Sequence, residues 1–160
     1  MAAESSGALL LAGAVLAGFA VFGSWLSLHD ARTHRLPNRL TGAWFVASFL
    51  LLAALAVVLG RAGPMVGALA GSGLLGGAYL LLSLVSGGAM GMGDVKLAAV
   101  LGLNLGFFSL PALFLASVLS FVLASAFVLA GVLARKLSLK SAVPFGPFMV
   151  LGALGALLLA

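Results

Sequence analysis

Two aspartates, Asp30 and Asp94, are the only acidic residues in the chain apart from Glu4 near its start. Each stands at the end of a long apolar segment, where an isolated charge is costly. An ionisable residue at membrane depth is a functional-site hypothesis by default. Two carboxylates brought close cannot both ionise cheaply, so one proton is shared between them. Such a dyad can activate water with its ionised member and protonate a carbonyl oxygen with the other, the division of labour of aspartic proteases. Taken singly, each aspartate has a plainer structural reading. Asp30 is surrounded by His29, Arg32, His34 and Arg35 and can pair with a loop arginine. Asp94 can cap the helix it begins or pair with Lys96.

The elements that must carry this pair are membrane helices. Of 160 residues, 64% are hydrophobic and 7% charged, with a mean hydropathy of +1.32. A soluble domain of this size has far more polar surface, so the solvent is lipid and the length suits one membrane domain over residues 1–160. The fold class expected is all-α, a bundle of six transmembrane helices. A span needs about 20 apolar residues, and the segments read as Gly7–Leu28, Leu40–Leu59, Pro64–Val85, Val95–Phe108, Leu110–Leu133 and Val143–Leu159. If the fourth and fifth were one bent segment, the count would be five. Pro111 and the stretch Asn104–Gly106 are the turn signals between them.

Charge favours six. Arg32, Arg35, Arg39, Lys96, Arg135, Lys136 and Lys140 then fall on one side, leaving Arg61 alone on the other. By the positive-inside rule the basic side is cytoplasmic and both termini lie outside. The first span has Glu4 and no basic residue before it, unlike a signal peptide. The same topology brings Asp30 and Asp94 to one depth, at the cytoplasmic edge.

No cysteine is present, so disulfide and thiolate chemistry are excluded. No metal-ligand spacing appears, and no metal or other cofactor is expected. The net charge of +5 is explained by orientation in the bilayer, and without interleaved aromatics it does not indicate nucleic acid. The pairs Gly67/Gly71, Gly73/Gly77 and Gly102/Gly106 have the small-xxx-small spacing that lets helices approach closely in lipid.

Further candidates flank the aspartates. Gly87, Gly88, Gly91 and Gly93 form a loop before Asp94, permissive of unusual backbone angles and of close approach by another chain. It lacks the strand and the Lys-Ser/Thr ending of a phosphate loop. Gly91 and Gly93 are expected to admit a substrate backbone, and Lys96 to tune Asp94 or to anchor its helix at the interface. Pro37 and Asn38 are helix-start residues of the second span. The last span opens on Pro144, Gly146 and Pro147, an irregular start that membranes tolerate where protein or a water-filled cavity covers it.

Three blocks now stand in order: Asp30-Ala-Arg-Thr-His-Arg-Leu-Pro-Asn-Arg-Leu-Thr41, Gly91-Met-Gly-Asp-Val-Lys-Leu97, and Pro144-Phe-Gly-Pro-Phe148 followed by Gly152. With this spacing the chain resembles the type IV prepilin peptidases, aspartic membrane proteases that remove leader peptides from prepilins and pseudopilins. The resemblance implies that Asp30 and Asp94 are the catalytic pair. It implies prepilin or pseudopilin substrates for type IV pili and related secretion systems, with cleavage at the cytoplasmic face of the cell membrane, amid lipid. Many members carry an N-terminal cysteine-paired region associated with N-methylation. The sequence resembles the short form without it, so methyl transfer is expected to be absent. Two rival readings use the same residues differently. A small proton- or cation-coupled transporter would use the aspartates as a relay and would line several spans with polar groups. A scaffold assembled through its glycine motifs would tolerate loss of either aspartate.

Overall fold

The computed structural model describes residues 2–33, 36–87, 90–137 and 143–159. His34, Arg35, Gly88 and Lys140, which the sequence reading drew on, lie outside them. The described residues form six helices and no strand: α1 (Ala2–Thr33), α2 (Asn38–Val58), α3 (Gly63–Val85), α4 (Met92–Phe108), α5 (Pro111–Leu133) and α6 (Gly146–Leu159). By length and composition, α1, α2, α3 and α5 can each cross a membrane. The remaining two are shorter, 17 residues in α4 and 14 in α6.

The fourth and fifth segments are separate helices. Ser109 is extended, with φ −159° and ψ 112°, and Pro111 begins α5. A proline suits a first helical turn because its missing N–H would have no partner there. Pro64 does the same for α3. Helix α2 stops at Gly60, whose φ of +61° suits a residue without Cβ. There the Arg61 N–H reaches back to the Ala56 carbonyl and the Gly60 N–H to that of Val57. Helix α5 ends through the same pair of bonds, but around Arg135, a non-glycine at φ 56°.

Helix α1 runs beyond the apolar segment and carries Asp30 within its last turns. Nothing in Leu28–Thr33 breaks a helix, and the Thr33 hydroxyl donates to the His29 carbonyl. Chain reversal waits for Pro37, which also disfavours helix at the residue before it.

Helix α4 is the centre of the bundle. It packs against α2, α3, α5 and α6, while α1 closes the outside against α2 and α6. Most of α4 is buried from Val95 to Phe107. The α3–α4 interface is very close, because glycines meet glycines. A Cβ on Gly67 would strike the Gly106 carbonyl, and one on Gly71 would strike that of Gly102. Gly73 and Gly77, by contrast, face open space, so that pair does not serve this interface. Across α1 and α2, Phe19 meets Trp44 edge-on at 5.4 Å. At the far side Tyr79, Phe121 and Phe145 join α3, α5 and the approach to α6.

A polar pair joins α2 and α4 inside this apolar core. Asn104 of α4 donates through Nδ2 to the Ser48 hydroxyl of α2 at 3.1 Å and to the Val100 carbonyl at 2.8 Å. Away from water such bonds hold two helices in register.

Candidate active site

One end of the bundle gathers the last turns of α1 and the first turns of α2, α4 and α6. All ten residues singled out in sequence are on these elements or just before them. They separate into two groups.

The first group centres on the aspartates. Asp30 is 4% exposed. Its Oδ2 accepts the backbone N–H of Gly146 at 2.9 Å. Gly146 is there because nothing larger fits: a Cβ would lie 2.7 Å from that same oxygen. The irregular start foreseen for the last span has this consequence. Residues 143–145 are not helical, and α6 begins at Gly146, with Pro147 in its first turn. The Gly146 N–H, needing no partner within its own helix, is therefore free for a carboxylate. Pro144 is half-buried in the segment leading in.

Asp94 is the third residue of α4 and half-buried. Its carboxylate accepts from the backbone N–H of Gly91 and lies within electrostatic reach of Asp30. The contact with Gly91, the N-cap residue, is half of a capping box. Asp94 thus caps the helix from its third position and not as the N-cap residue that its place in the sequence suggests, an arrangement compatible with a partner carboxylate on the other side.

The loop glycines divide. Gly87 adopts a left-handed φ of +63°. Gly91 is ordinary extended backbone at φ −68° and ψ 145°, and a Cβ there would make only normal contact with Asp94, at 3.7 Å. Gly93 sits under Leu36, whose Cβ would be 2.9 Å from an added methyl. That contact ties the α1–α2 connection to the start of α4. The loop is also fastened from α3, where the Ser83 hydroxyl donates to the Met90 carbonyl at 2.8 Å.

The second group faces away. The Lys96 ammonium donates to Asn38 Oδ1 at 2.8 Å, so Lys96 turns to α2 instead of pairing with Asp94. Two residues along a helix are about 200° apart, which puts Lys96 on the opposite face of α4. Pro37 takes the N-cap position of α2, and its carbonyl accepts the N–H of Thr41 and the Thr41 hydroxyl.

Tyr79, the one tyrosine in the sequence, went unnoticed in the sequence reading. It is 2% exposed, its hydroxyl bonds to Ser117, and it feels the charge of Asp94. Its rarity within a Gly- and Leu-rich helix was the one available signal.

Fold and site together define a multi-pass α-helical membrane protein with a carboxylate pair at one end of its bundle. A family model described as the type IV leader peptidase family matches residues 14–129. The chain belongs to that family, and the matched region contains both Asp30 and Asp94. The block Pro144–Phe148 lies beyond it, joined to the pair by the Gly146–Asp30 bond. No match was found among curated proteins or among solved structures.

Proposed function

We propose that the chain is an aspartic endopeptidase that removes the basic leader of prepilin-like substrates, with Asp30 and Asp94 as its catalytic pair. The carrying observation is convergence. The two acidic residues beyond Glu4, from helices far apart in sequence, come within electrostatic reach of each other at one end of an otherwise apolar bundle.

The pair holds one proton between two carboxylates. The ionised member takes a proton from water as the water oxygen bonds to the scissile carbonyl carbon. The neutral member gives its proton to the carbonyl oxygen, forming a tetrahedral diol. The diol collapses when the C–N bond breaks, the leaving amine takes a proton, and the carboxylates return to sharing one. The Gly146 N–H keeps Asp30 in place through this cycle. Gly91 presents no side chain of its own beside Asp94.

The seven basic residues grouped by the six-helix order support a cytoplasmic location for this end. A leader that stays in the cytoplasm, followed by a hydrophobic helix in the membrane, presents its junction at that depth. The chain then acts as one catalytic unit in the cell membrane.

The test is co-expression with a candidate prepilin, following leader loss on a gel. Wild type is expected to cleave, while Asp30→Asn and Asp94→Asn each fail with unchanged expression. Cleavage persisting in both variants rejects the dyad. A cysteine-labelling scan is straightforward in a chain without cysteine; labelling of positions 30 and 94 solely from the outer side would reject the sidedness.

A further inference from the structure

A groove of about 380 Å³ runs along the outside of the bundle between α2 and α4, a volume within the usual range of small-ligand sites. It starts at the end that carries the aspartates but lies on the Lys96 face of α4, turned away from Asp94. Helices α2 and α3 scarcely meet, so Lys96 and part of Ala99 are left open between them, while Val100 is the buried floor.

Its lining changes character along its length. Asn38, Thr41 and Lys96 stand at the mouth, and Gly42, Phe45, Val46, Ala99 and Val100 continue below. Lys96 and Asn38 are joined across the mouth at 2.8 Å. A lysine ammonium has three donors, so two remain after that bond. Arg39 is exposed and outside the lining itself, but it stands seven residues before the lining residue Val46, hence two turns above it on the same side of α2, and brings a second cation to the rim. Below the mouth, an added Cβ on Gly42 would touch nothing, which keeps the trough open.

We propose that this groove is a binding site for one anionic phospholipid, its phosphate held at Lys96, Asn38 and Arg39 and an acyl chain lying along Phe45, Val46 and Ala99. Charge complementarity selects the head group, and the polar-to-apolar order of the lining matches the order within the lipid. Basic pockets between membrane helices are where anionic head groups bind. The hydrophobic helix of a substrate is the weaker candidate, because a helix in this groove has α4 between it and Asp94. The proposal is independent of the peptidase reading.

The experiment incubates the full-length protein in detergent with equal phosphatidylglycerol and phosphatidylcholine and counts retained lipid by native mass spectrometry. Wild type is expected to retain phosphatidylglycerol at least about fivefold over phosphatidylcholine, the factor one basic residue contributes at an anionic surface. Lys96→Gln and Arg39→Gln should each lower that preference by about fivefold. Lys96→Arg should keep it, and Lys136→Gln, an exposed cation at the same end but off the groove, should not change it. Gly42→Leu, which fills the trough without a clash, should reduce retention of both lipids. Equal retention of the two lipids by wild type overturns the proposal. So does unchanged preference in both Lys96→Gln and Arg39→Gln, two separate positions that guard against one misfolded variant. A Gly42→Cys protein that crosslinks to the hydrophobic helix of a co-expressed prepilin, without any lipid preference in wild type, overturns it in favour of substrate.

Discussion

The α3–α4 interface and the aspartate end are built from the same residue type to opposite purposes. At the interface, glycine removes side chains so that two backbones can touch along several turns. Lipid gives helices no hydrophobic reason to associate, so close packing is what holds them. At the aspartate end, Gly146 removes a side chain so that a backbone N–H can reach a carboxylate. The first region is a rigid base. The second is held by hydrogen bonds, Gly146 to Asp30 and Gly91 to Asp94, beside the electrostatic contact of the two aspartates. Helix α4 belongs to both, with its body in the glycine interface and its first turn carrying Asp94.

The largest effects should come from the chemistry itself. Asp30→Asn or Asp94→Asn is expected to lower prepilin cleavage by about 10²–10⁴-fold, the range for a positioned acid or base, with little change in thermal stability in detergent. A fall in stability that matched the loss of cleavage would mean that the aspartates belong to the base and not to the site.

Next is the base. Gly102→Leu forces a side chain into the α3 backbone and should destabilise by about 1–3 kcal/mol or more, read as a lower midpoint in a thermal melt. Gly73→Leu, facing open space, should melt like wild type. Equal midpoints for the two variants would contradict the glycine interface.

Gly146→Ala tests the link between the regions. The added methyl meets Asp30 Oδ2 and pushes on the hydrogen bond that holds it, a contact worth about 1 kcal/mol or more. About a tenfold or greater loss of cleavage rate is expected, with the melting midpoint near that of wild type. The smallest effect should be that of Gly91→Ala, since its contact with Asp94 is ordinary and its backbone angles suit any residue. Cleavage within about twofold of wild type is expected; a collapse of activity would give Gly91 a role that packing does not reveal.

Much of this could be read in the sequence because lipid makes the pattern strict. Backbone groups must be satisfied within each helix, so apolar runs and prolines located all six helices, five of them to within three residues, while α1 runs five residues further at each end. The rarity of charge singled out Asp30 and Asp94, and the blocks around them carried the resemblance that the family match bears out. What sequence missed has physical reasons too. The length of α1 past its apolar run depended on the absence of a breaker, a weak signal. Gly67/Gly71 and Gly73/Gly77 share one spacing, yet only the first faces α4, and spacing does not say which face of a helix finds a partner. Lys96 was near Asp94 in sequence but turned to Asn38, because two residues along a helix point to opposite sides.

The sequence by itself determined an all-helical membrane protein, the order of its helices, and which two carboxylates could act. Those follow from composition and period, which are local properties. Only the tertiary structure decided that Gly146 meets Asp30, that Lys96 opens on a groove, and that Tyr79 packs with Phe121 and Phe145. Such contacts depend on how six helices rotate against one another, and that rotation is set by where backbones can approach most closely.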